Sequence, residues 1–139
     1  MIEKLNVTKT IDVPGDKVWA AISGIGGLDR WFPVIASCRV EGEGVGAIRV
    51  LGLGDGGEIR DRIEEIDHQT RRFRYVRTDS PFPVTKYLGT VDVRDADGDK
   101  SEVSWTVEID VAADARDELT RFLKSALSAG ISGIEQDLR

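Results

Sequence analysis

The segment "SEVSWTVEIDV" (101–111) constrains everything else in the chain. Val103, Trp105, Val107, Ile109 and Val111 alternate with serine, threonine, glutamate and aspartate, so this strand has one apolar face and one wet face. A sheet of that kind stands only when something covers the apolar side. Other segments repeat the demand. "VTKYLGTVDVR" sets Tyr87, Gly89, Val91 and Val93 on one side, and "RFRYVRT" sets Phe73 and Tyr75 there. With "EIRDRIEEI", "GAIRVLGL", "IASCRVEG" and "KLNVTKTIDV", seven strands are expected. Several are separated by the Gly/Asp-rich connectors "GEGVG", "GDGG" and "DADGDK", which suit hairpins.

Little remains to cover them. "VPGDKVWAAIS" offers Pro14 near a first helical turn and an apolar set of Val18, Trp19 and Ile22, and "LDRWF" makes a short second turn before Pro33. The one long helix starts from Asp114 as its cap, carries Asp117 and Glu118 in its first turn, and aligns Leu119, Phe122, Leu123, Ala126, Leu127, Ile131 and Ile134. Ala126, Ala129, Gly130 and Gly133 thin that face. Each internal glycine costs about 1 kcal/mol relative to alanine, which close backbone packing or room for another molecule would offset. A helix is about 10 Å wide, whereas seven strands span roughly 30 Å. The sheet must therefore curl around the helix. The expectation is a single α+β domain over 1–139 with a curved seven-stranded antiparallel sheet, two short helices after the first strand, and a hollow inside.

Bulk properties narrow the function. There are 25 acidic against 19 basic residues, a formal charge of −6, which argues against nucleic acid or an anionic membrane as a partner. A lone cysteine, Cys38, excludes an internal disulfide framework and reads as a small core residue or a cavity-lining thiol. The N-terminal residues lack the apolar run of a signal peptide, and no 18-residue apolar stretch occurs. We expect a cytoplasmic protein without membrane insertion. With one histidine and one cysteine the usual structural zinc ligand set cannot form. "DADGD" (95–99) lacks the closing glutamate of a calcium loop, and "GLGDGG" leads into a strand rather than a helix. Neither a metal nor a cofactor is expected. His68, the only histidine, falls in a turn. In "RRFRYVR", Arg72 and Arg74 alternate away from Phe73 and Tyr75, with Glu64 expected opposite Arg72, which describes a solvated face rather than a nucleic-acid platform.

"EIRDRIEEI" (58–66) raises the chemical question, because Asp61 sits between Ile59 and Ile63 on the apolar face. A buried carboxylate needs a partner. In antiparallel hairpins opposed residues have a constant index sum. A turn centred on Asp55 sets Arg49 opposite Asp61, and one centred on His68 sets Asp61 opposite Tyr75. Centres at Pro81 and Gly98 set Tyr75 against Tyr87, Tyr87 against Ile109 and Val93 against Val103. The expected row is Arg49, Asp61, Tyr75 and Tyr87. It reads either as a buried salt bridge fixing strand register or as a polar spot that orients a ligand in an apolar cavity.

Read together, "IDVPGDKVWAAIS", "RWFPVIASCRVEGEGVGAIRVL", "GEIRDRIEEIDHQTRRFRYVRT", "SPFPVTKYLGTVDV" and "SEVSWTVEI" resemble the START-related, birch-pollen-allergen-like superfamily, in its polyketide cyclase/dehydratase-like branch. The resemblance implies the helix-grip fold and a small hydrophobic ligand, polyketide-, lipid- or aromatic-like, held between sheet and C-terminal helix. It implies as an alternative a cofactor-free cyclase, dehydratase or isomerase. The branch is similar to plant lachrymatory-factor synthases, whose arginine, acid and tyrosine correspond by position to Arg49, Asp61 and Tyr87, with Asp61 one methylene shorter than their glutamate. On that footing Asp61 would move a proton while Arg49 and Tyr87 hold an oxyanion. Ligand contacts are expected from Trp31, Phe32, Tyr75, Phe82, Trp105, Phe122 and Ala126, with Trp31, Phe32 and the "SPFPV" loop at the mouth.

Overall fold

The computed structural model describes all 139 residues. Strand β1 (Ile2–Ile11) leads into helices α1 (Gly15–Ser23) and α2 (Leu28–Trp31). Strands β2 (Ile35–Glu41), β3 (Ile48–Leu53), β4 (Glu58–Asp67), β5 (Arg72–Asp79), β6 (Val84–Asp95) and β7 (Ser101–Val111) follow, and α3 (Arg116–Leu138) closes the chain. The strands form one antiparallel sheet in the order β1-β7-β6-β5-β4-β3-β2. Strand β7 alternates buried and part-exposed residues along its whole length, as its sequence dictates. Bulges interrupt β2, β4 and β6. Each adds local twist, and the sheet curls around α3 in the helix-grip arrangement.

Two expected registers hold and two are off by two residues. Arg49 pairs with Asp61, and Tyr87 with Ile109. Asp61, however, faces Arg77 rather than Tyr75, because the turn pairs Asp67 with Arg72 and so is not centred on His68, and the register shift between Ile63 and Glu65 changes the offset by one residue. Tyr75 faces Gly89 rather than Tyr87. A two-residue slip leaves every side chain on its expected face and changes only its neighbours. Glu64 likewise does not oppose Arg72. It accepts from Arg62 at 2.8 Å, and Arg72 lies opposite Asp67 and pairs with Asp92.

The long helix begins after Asp114, with Ala115 at its cap position and no side chain capping it. Its two glycines serve close packing. A Cβ at Gly133 would sit on the Trp31 carbonyl, and one at Gly130 would sit on the Phe32 ring. These contacts bring α2 hard against α3. Trp31 consequently points away from the hollow, and its indole N–H donates to Asp137 at 2.9 Å. His68 lies in the β4–β5 turn and accepts the Trp19 indole N–H at 3.0 Å. Cys38 is half-buried on β2. No helix is long and apolar enough to cross a membrane.

Candidate functional site

The polar row starts on β3. Arg49 is 2% exposed and Asp61 fully buried. Arg49 donates through Nε and Nη2 to Asp61 Oδ2 at 3.3 and 3.1 Å, and through Nη1 to the Ile25 carbonyl at 3.1 Å. That carbonyl belongs to an isoleucine at φ 72°, a left-handed conformation that β-branched residues rarely adopt. Arg49 thus fastens the strained α1–α2 connection to the sheet.

From the other side, Arg77 Nε donates to Asp61 Oδ1 at 2.8 Å, and its Nη2 reaches Oδ2 at 3.4 Å. Its side chain is 9% exposed. Continuing along the row, the Arg77 guanidinium carbon lies 4.1 Å from the Tyr87 ring centroid, a cation–π stack. Arg49 is placed similarly over Tyr75, at 4.8 Å. Tyr75 lies across Gly89, where a Cβ would collide with its ring, and its hydroxyl accepts the Trp105 indole N–H at 3.2 Å.

These surroundings fix protonation. Burial would raise the Asp61 carboxyl, but Arg77 and Arg49 outweigh it through charge and hydrogen bonds and hold it below the usual carboxylate range. Burial also disfavours charge on Arg77, yet the Asp61 carboxylate keeps it fully protonated. Burial pushes the Tyr87 phenol well up, so it stays a neutral donor. The row therefore holds Asp61 as an anion between two guanidinium groups, with Tyr87 neutral beside them.

Beside it lies a cavity of about 50 Å³ between sheet and α3, and fourteen of its fifteen lining residues are hydrophobic or aromatic. The exception is Arg77. Tyr75, Tyr87 and Trp105 form its sheet wall, Phe32 enters from α2, and Ala126 faces it from α3. Phe82 and Phe122 meet at its mouth with ring centroids 5.5 Å apart. Phe122 is 38% exposed, so it belongs to the rim and not to the packed stripe of its helix. Three of the expected site residues do not line the cavity. Trp31 is turned towards Asp137, and Arg49 and Asp61 lie one layer behind the wall. Tyr75, Tyr87 and Arg77 join the row to the cavity, and Arg77, its one charged lining residue, was not among the expected residues. It shares the parity of Phe73 and Tyr75 in "RFRYVRT", and that alternation was the available signal.

A curled sheet around one helix, with an apolar cavity between them and a single cation at its wall, defines a helix-grip domain. The chain belongs to the polyketide cyclase / dehydrase and lipid transport family, whose model matches residues 3–139. No curated protein sequence matches it significantly. Among solved structures, it is similar to protein XoxI of Bacillus cereus, at 26% identity and TM-score 0.86 over 97% of this chain and 94% of that one. A putative uncharacterised protein from Bacillus thuringiensis is similar at 26% identity and TM-score 0.87, with 98% of each chain covered. Norcoclaurine synthase of Thalictrum flavum shares the fold at 18% identity and TM-score 0.81, over 98% of this chain and 86% of that one.

Proposed function

We propose that this protein binds a small hydrophobic molecule between its sheet and α3, as a binding or carrier domain rather than through proton transfer at Asp61. The observation that carries this reading is the apolar cavity with Arg77 as its one charged wall residue. An apolar pocket with a few fixed polar groups is the usual form of a small-molecule site. Membership of a family described by cyclases, dehydrases and lipid transport supports the same ligand class.

Catalysis by an Arg49–Asp61–Tyr87 set is less well supported. A proton carrier works best with a pKa near the working pH and within reach of its substrate. Asp61 is held below the carboxylate range, both its oxygens accept from guanidinium groups, and it does not line the cavity. It behaves as a counter-ion that aims Arg77.

At about 50 Å³ the cavity holds a few water molecules, whereas sites for drug-sized ligands run to roughly 300–1,000 Å³. Binding therefore requires the Phe82–Phe122 mouth to part. Titration with the neutral dye Nile red tests the reading. Saturable one-to-one binding, quenching of tryptophan fluorescence through Trp105 and a raised melting temperature are the expected results. Absence of saturable binding by Nile red and by a panel of neutral and charged apolar probes would overturn it.

A further inference from the structure

We infer that the ligand bears a single anionic head, a carboxylate, seated on Arg77 and Tyr87, with its apolar body leaving between Phe82 and Phe122. This rests on the ligand-binding reading above and names the chemical class that such a pocket selects.

Charge is the first ground. Arg49 and Arg77 share one carboxylate, and neither has another acid within ion-pair distance. The buried row therefore carries one positive charge in excess, in surroundings where an uncompensated ion is costly. The excess lies at Arg77, because every nitrogen of Arg49 is engaged, two by Asp61 and the third by the Ile25 carbonyl.

Donor supply is the second. Arg77 spends Nε and Nη2 on Asp61, and Nη1 has no partner in the protein. The Tyr87 hydroxyl has only the Tyr75 hydroxyl as a partner within the chain, and its neutral phenol keeps a proton that a ligand oxygen can accept instead. Both residues line the cavity, and the remaining wall is apolar or aromatic. Two donors and no competing carboxylate fit the two oxygens of a carboxylate, whereas an ammonium group would meet only like charge.

Volume is the third. About 50 Å³ accepts a head group and its first carbons, not a whole amphiphile. Beyond the phenylalanine pair the surface continues as two larger grooves of about 320 and 530 Å³, both bounded by Phe82 and Phe122. The body of the ligand has an apolar path outward.

The test is calorimetric titration of the full chain near neutral pH with three chain-matched probes, octanoate, 1-octanol and octylammonium, each below its aggregation limit. The formal charge of −6 repels anions from the surface, so a preference for octanoate reports the buried charge. Octanoate is expected to bind about tenfold more tightly than 1-octanol, or better, and octylammonium more weakly than either. Arg77→Met leaves the Arg49–Asp61 pair neutral and should reduce the octanoate preference to less than about twofold. Tyr87→Phe removes one hydroxyl and should weaken octanoate several-fold while sparing 1-octanol. Should Arg77→Met fail to fold, the wild-type series and Tyr87→Phe still decide. Equal or tighter binding of 1-octanol or octylammonium by the wild type would overturn the anionic head and leave the binding reading standing. Unchanged octanoate affinity in both variants would overturn its seat. Failure of all three probes together with Nile red would sink both readings.

Discussion

Asp61 balances two arginines, and its removal should be felt as charge rather than as lost volume. Asp61→Asn keeps the shape but leaves two guanidinium groups buried without an anion. Loss of one partner from a buried ion pair costs about 3–5 kcal/mol, and urea denaturation should show a loss of that size. Tyr87→Phe gives up at most a neutral hydroxyl pairing with Tyr75, and should stay within about 1 kcal/mol of the wild type in the same assay. The pH dependence follows from the depressed carboxyl. An unfolded aspartate titrates near 3.9, and the folded value lies lower, so below that point the unfolded state binds more protons than the native one. Stability from Asp61 is therefore fully present above about pH 4 and is lost as pH falls through the folded value. Urea midpoints followed from about pH 5 downward should fall for the wild type more steeply than for Asp61→Asn. Matching slopes would show that Asp61 does not enter folding as an ion. At this scale the sequence disclosed every member of the row except Arg77. Arg49 opposite Asp61 followed from a short turn, and alternation gave the face of Arg77, but its place beside Asp61 depends on a longer β4–β5 turn and a bulge that no residue type announces.

The helices and strands themselves were legible, because alternation along β7 and the spacing of apolar residues in α3 each admit one reading. What the glycines of α3 are for was not legible, since thinning of a helix face serves a ligand and a packed neighbour equally well. The structure assigns them to α2, and the two positions should respond differently. A Cβ at Gly133 meets the Trp31 backbone, which cannot rotate away, whereas one at Gly130 meets the ring of Phe32. Alanine gains about 1 kcal/mol of helix propensity at either site, but overpacking costs typically 1–3 kcal/mol. Gly133→Ala should therefore be net destabilising in urea, by about 1–2 kcal/mol. Gly130→Ala should cost less, because Phe32 can yield, and it should perturb tryptophan fluorescence through the edge-to-face contact of Phe32 with Trp105, at 5.2 Å between centroids. Equal losses at the two sites would mean that α2 shifts as a unit.

Over the whole molecule, the mismatch between many strands and one covering helix foretold a curled sheet and a hollow, but not the size of the hollow. Bulges, the large rings of Phe32, Tyr75 and Trp105, and the close approach of α2 leave a cavity of only about 50 Å³. Access then depends on where the enclosure is weakest. The Arg49 bond to Ile25 and the Gly133 contact hold α2 to the sheet and to α3, so the α2 side is pinned. The Phe82–Phe122 pair has no such tie. Phe82 sits in the β5–β6 connection, Phe122 is part-exposed on α3, and only their rings meet. Phe122→Ala should thus open the mouth at little cost to the fold. Stopped-flow mixing with Nile red should show association accelerated several-fold over the wild type, with the urea midpoint lowered only slightly because that side chain is already 38% exposed. An unchanged association rate would place the entrance elsewhere. The pinned α2 side would then have to move, and loosening it with Gly133→Ala would be the variant that speeds entry.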